Sequence, residues 1–81
     1  MLQEEMIQAM AEGDREAFRQ FYQETARPVY SFILSLTKSP YEAEDLMQET
    51  YLCVWTKAKS YVPLGKPLAW VFTIARNLCY M

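Results

Sequence analysis

Histidine is absent from this 81-residue chain, and glycine and cysteine occur only twice each. Without histidine there is no commonest general base, and no Ser/His or Cys/His nucleophilic arrangement can form. Cys53 and Cys79 make no CxxC pair, which argues against a zinc site. Both fall within apolar helical patterns and are expected as buried free thiols. There is no signal-peptide pattern and no apolar run of membrane length, so a cytoplasmic location without membrane insertion is expected. A strong charge of either sign is also lacking. Eight Lys and Arg against ten Asp and Glu leave a formal net charge of −2. That speaks against a strongly basic, non-specific nucleic-acid binder but permits a local basic patch. An enzyme, a resident cofactor and a metal are not expected.

What is present is apolar and aromatic: 52% hydrophobic residues and 15% aromatic, enough for one small domain with a single core. The few glycines and prolines divide the chain at Gly13-Asp14, at Ser39-Pro40 and at Pro63, Gly65 and Pro67. Between these points the apolar spacing is helical, with no sustained alternation. The prediction is an all-α, compact four-helix bundle of three long helices and a short N-terminal one.

The first helix is placed from Leu2 to Glu12, with Leu2, Met6, Ala9 and Met10 inward. Asp14 is a suitable N-cap for a second helix, Arg15 to Thr37, carrying Phe18, Phe21, Tyr22, Val29, Phe32, Ile33 and Leu36. Pro28 inside it predicts a bend or break near Thr25. "SPYE" reads as a capping box, with Ser39 at the N-cap, Pro40 at N1 and Glu42 at N3. It starts a third helix that runs to Lys59. A loop from Ser60 to Lys66 follows, and Pro67 opens a fourth helix that is still helical at Met81.

At 100° per residue the third helix buries Ala43, Leu46, Met47, Thr50, Cys53, Val54 and Ala58. Asp45, Gln48, Glu49, Leu52 and Thr56 gather on the opposite side, flanked by Trp55 and Lys59. Apolar anchors among charges suit a partner surface, and on pattern alone the same face also suits bare solvent. The fourth helix turns Leu68, Trp70, Val71, Phe72, Ile74, Ala75, Leu78 and Cys79 inward. Lys66, Ala69, Thr73, Arg76, Asn77 and Tyr80 lie on its other side. Lys, Arg and Thr suit phosphates, Asn a base edge and Tyr80 a stacked base, although a solvated polar face fits equally. The loop "AKSYVPLGKP" has the makings of a small pocket lined by Tyr61, Val62 and Leu64, of the kind that holds splayed bases. An ordinary helix connection is the alternative.

"AEDLMQETYLCVW", followed by "YVPLGKPLAWVFTIARNL", closely resembles region 2 of bacterial extracytoplasmic-function sigma factors, the small members of the sigma-70 family. The aromatic-rich second helix fits the start of that region, and the likeness extends from Ala17 to Leu78. It implies that the third helix (39–59) docks on the clamp-helix coiled coil of the RNA polymerase β′ subunit through Asp45, Gln48, Glu49, Leu52 and Trp55. It implies that the loop (60–66) and fourth helix (67–81) recognise the promoter −10 element and hold its non-template strand open. The DNA set is Lys59, Tyr61, Lys66, Thr73, Arg76, Asn77 and Tyr80, with Asn77 as the base reader and the loop pocketing a flipped base. Trp70 matches an aromatic position of the melting helix, though its place in the apolar arc favours core packing. An anti-sigma factor is a further implied partner.

Complete members of the family carry a second helical domain that reads the −35 element. That region 4 domain is absent here, so a fragment of a longer protein is expected. With a negative net charge, the isolated domain is expected to bind duplex DNA weakly and polymerase better. The competing class is a helical protein-interaction module without DNA binding of its own. A carboxylate metal site at Glu44, Asp45 and Glu49 lacks the Glu-x-x-His pairs that helical bundles use.

Overall fold

Proline and aspartate at helix starts, and glycine between helices, set the boundaries in the computed structural model, which describes residues 2–81. The elements are α1 (Gln3–Ala11), α2 (Arg15–Thr37), α3 (Pro40–Lys57), a 3₁₀ turn (Ala58–Ser60) and α4 (Pro67–Cys79). No strand occurs among the described residues.

Each boundary has a local cause. Gly13, at φ +95°, makes the left-handed turn out of α1 that a side chain would strain. Asp14 then caps α2, its Oδ1 accepting from the Glu16 and Ala17 amides at 3.0 and 3.1 Å. Ser39 Oγ accepts from the Glu42 amide at 3.3 Å. The reciprocal half of the expected capping box does not form: the Ser39 amide donates instead to Thr37 Oγ1. Pro40 occupies the first turn of α3, where its missing N–H is no loss.

Three other expectations are corrected. α2 runs unbroken through Pro28. Proline removes only the bond to the Glu24 carbonyl, and both Glu24 and Pro28 are exposed, so water can replace it. α4 stops at Cys79, because the Tyr80 and Met81 amides turn back to Arg76 and Leu78 in a tightened last turn. The α-helical part of α3 stops at Lys57, and the 3₁₀ turn carries the chain on to Ser60.

α2 packs against all three other helices, and α3 packs against α4. The core holds Met6, Ile7, Met10, Phe21, Val29, Ile33, Val54 and Val71, each almost wholly buried. The inward positions expected on α3 and α4 are all buried or half-buried. Leu2, expected inward, is 72% exposed because it precedes the first turn of α1 rather than lying on its packed face. Ile7 and Tyr51 join the core without having been assigned to it. Phe32 of α2 stacks on Phe72 of α4 at 4.7 Å. The cysteines are free, as expected, but half-buried rather than buried.

Candidate functional site

The outward side of α3 is a row at helical spacing. Asp45, Gln48, Glu49, Leu52 and Thr56 are all exposed, and Leu52 is 63% exposed. Among the described residues neither Asp45 nor Glu49 forms an ion pair, the single salt bridge being Arg19 with Glu16 on α2. Trp55 is different. It is half-buried and meets Phe18 of α2 edge-on, ring centres 5.4 Å apart. Its remaining surface borders a groove of about 450 Å³ with Met10, Gly13, Thr56 and Lys59. At the other edge of the row, Gln48 borders a groove of about 620 Å³ between α2 and α3, with Tyr22, Arg27, Tyr30 and Glu44.

A second site lies where the loop meets α4. Tyr61, Val62 and Leu64 do line one pocket, of about 350 Å³, together with Lys66, Trp70 and Thr73. That is room for a planar ring the size of a nucleobase, at the small end for ligand sites. Tyr61 meets Trp70 edge-on, ring centres 4.9 Å apart, so half-buried Trp70 serves both core and pocket wall. Lys66, Ala69, Thr73, Arg76, Asn77 and Tyr80 form a continuous exposed stripe along α4. The Thr73 hydroxyl donates to the Ala69 carbonyl at 3.0 Å and keeps acceptor capacity outward. Lys59 is not part of this cluster: it lies on the groove beside Trp55.

The electrostatics of the two faces differ in a way the net charge conceals. Every Asp and Glu lies at or before Glu49, whereas Lys57, Lys59, Lys66 and Arg76 all follow it. The loop and α4 therefore carry only positive side chains, a signal of charge asymmetry that the summed value of −2 hides.

One carboxylate from elsewhere reaches this region, and periodicity gave no sign of it. Glu4 of α1 accepts from the Tyr61 hydroxyl at 2.5 Å and from the Gly65 amide at 2.7 Å, both through Oε2. Burial, and then the neighbouring Glu4 carboxylate, push the Tyr61 phenol up to about 12. Among the described residues, no cluster of His, Cys, Asp and Glu is arranged to hold a metal ion, and no helix is long and apolar enough to cross a membrane.

Residues 21–81 match the model of the family described as Sigma-70 region 2. Curated relatives include the ECF RNA polymerase sigma factor SigK of Mycolicibacterium vanbaalenii, 36% identical over 73 residues, which are 89% of this chain and 37% of that protein. SigM of Bacillus subtilis is 41% identical over 58 residues, 72% of this chain and 35% of that protein. SigL of Mycobacterium tuberculosis is 33% identical over 73 residues, 89% of this chain and 41% of that protein. The chain thus spans about two-fifths of the length of the curated relatives it matches. No solved structure matches it.

Proposed function

Because this chain belongs to the sigma-70 region 2 family, in its ECF branch, we propose that it serves transcription initiation by docking on the RNA polymerase β′ coiled coil and opening the promoter −10 element. The observation that carries the reading is the row on α3. Asp45, Gln48, Glu49 and Leu52 are exposed, their polar side chains have no hydrogen-bond or ion-pair partner among the described residues, and Leu52 stands among unpaired carboxylates. Carboxylates steer and register a basic partner, and Leu52 supplies apolar contact at the centre.

The DNA half of the reading rests on the pocket and the stripe. A base extruded from the duplex enters the pocket between Tyr61, Leu64 and Trp70. Lys66, Arg76 and Thr73 hold flanking phosphates, and Asn77 meets a base edge. No bond is made or broken; opening is driven by the free energy of holding the unpaired base. The role places the domain in the cytoplasm with polymerase. The exposure of Thr73, Arg76 and Asn77, none of them ion-paired among the described residues, favours this reading over an interaction module without DNA binding.

The test is binding to a β′ coiled-coil fragment by the wild-type chain and by Asp45→Ala/Gln48→Ala/Leu52→Ala. Leu52 is preferred to Trp55 here because it is 63% exposed and has no part in the packing that holds Trp55 on Phe18, so its loss costs the fold little. The expected result is binding that the triple change abolishes while circular dichroism stays the same. Equal binding by both chains would remove α3 from the interface.

A further inference from the structure

Two donors from the loop converge on one oxygen of α1. Glu4 Oε2 accepts from both the Tyr61 hydroxyl and the Gly65 amide. The rest of the loop is tied only locally: Tyr61 to Ala58, Leu64 to Val62, and Lys66 to Trp70. Among the described residues, Glu4 therefore makes the only hydrogen bonds that join residues 61–66 to a distant part of the chain. The tip is shaped for this contact. Gly65 sits at φ +76°, a left-handed conformation open to glycine and strained for other residues.

The placement runs against simple electrostatics. The loop and α4 are otherwise free of carboxylates, and a carboxylate beside a bound strand of phosphates repels it. A carboxyl group placed there contributes something else, and its two hydrogen bonds make that a matter of shape. Fixing the Tyr61 hydroxyl fixes its ring against Trp70, one wall of the pocket, while fixing Gly65 holds the turn that carries Leu64 over it.

We infer that Glu4 is a positioning residue for single-stranded DNA: by bonding Tyr61 and Gly65 it holds the loop pocket open and shaped before a base arrives. The inference rests on the reading that this pocket takes an unpaired base, and it adds a residue of α1, which lies outside the segment 21–81 that the family model matches. Preformed sites avoid the ordering cost that a loose loop must meet on binding.

The test uses the full chain on polymerase core, with the DNA oligonucleotide that the wild-type complex enriches from a random single-stranded pool. Glu4→Ala removes charge and acceptor. Glu4→Gln removes the charge but keeps an oxygen able to accept both bonds. Tyr61→Phe breaks one bond without touching α1. In Glu4→Ala, hydrogen exchange at the Gly65 amide is expected to quicken about tenfold while the Phe21 and Val54 amides stay protected, and oligonucleotide affinity to fall about tenfold. Glu4→Gln recovers most of both, and Tyr61→Phe is intermediate. Polymerase affinity stays unchanged throughout.

A freed Gly65 amide with undiminished oligonucleotide affinity overturns the inference alone, since the bond would then serve the fold and not recognition. Tighter binding by both Glu4→Ala and Glu4→Gln also overturns it, because the carboxylate would be acting as a repulsive charge. If the wild-type complex enriches no oligonucleotide, the reading of the pocket falls and the inference with it. If Glu4→Ala unfolds, Tyr61→Phe decides: oligonucleotide affinity at the wild-type level overturns the inference.

Discussion

Tyr51 of α3 donates its phenolic proton to Thr25 of α2 across the middle of the bundle. The two oxygens lie 2.6 Å apart, and Thr25 has only one proton, which is committed to the Phe21 carbonyl at 2.8 Å. The direction of the bond follows, and both residues are buried. This polar link ties the helix of the proposed polymerase face to the longest helix of the domain.

The link predicts an asymmetry. Tyr51→Phe leaves Thr25 with its carbonyl partner and costs about 1 kcal/mol. Thr25→Val strands a buried phenol and costs more, about 1–3 kcal/mol. The double variant recovers part of the Thr25→Val loss, since no group is then left unpaired. Urea unfolding of the three variants checks the order, and equal losses in both single variants would contradict it.

Alkaline pH weakens the fold through two tyrosines. Burial pushes Tyr51 up to about 12, and burial with the Glu4 carboxylate does the same for Tyr61. Both folded values lie above the ordinary 10, so the folded state holds these protons more tightly than the unfolded one. Their stabilisation is complete below the unfolded value of about 10 and is lost as pH rises toward 12. Tyrosinate absorbance of the folded chain should show a late step near 12, reduced by one equivalent in Tyr51→Phe and by one in Tyr61→Phe.

Thr50 is a stabilisation site. It is fully buried, and among the described residues its hydroxyl has no hydrogen-bond partner. Thr50→Val keeps the shape and removes the unpaired group. A gain of about 1 kcal/mol is expected, or about 4–8 °C in Tm for a domain of this size. An unchanged or lower Tm in a calorimetric scan would mean that the hydroxyl is satisfied in solution.

Leu52 and Trp55 separate binding from folding. Leu52→Ala should leave stability within about 0.5 kcal/mol of wild type, as exposed positions do, and weaken coiled-coil binding about tenfold. Trp55→Ala should weaken both, because its ring also packs on Phe18, with a stability loss of about 2–4 kcal/mol. Calorimetry beside a binding titration on the same samples distinguishes the two.

The helices are legible in the sequence where their cause lies within a few residues. Asp14, Ser39 and Pro40 mark helix starts because a cap or a missing N–H acts on the next turn. The outward row of α3 was legible because 100° per residue carries Asp45, Gln48, Glu49 and Leu52 to one side. Trp55 was harder, since a flanking position is half-buried or exposed according to what stands opposite, here Phe18 of α2. Of the bend or break expected near Thr25, the break does not occur, for a related reason. Proline's penalty depends on whether water can reach the freed carbonyl, and both Glu24 and Pro28 are exposed.

The sequence by itself determined an all-α chain, its helix starts, most of its core and the outward row of α3, because these follow from chain-local sterics and a fixed period. Its two halves also carried a charge asymmetry that a summed charge conceals. Only the tertiary structure decided that Tyr51 belongs to the core, that Lys59 lies beside Trp55 and away from the loop pocket, and that Glu4 holds Tyr61 and Gly65. Those relationships join residues tens of positions apart, where no periodicity operates. They exist because folding α1 and α2 against the later helices brings a carboxylate near the start of the chain to the loop before α4.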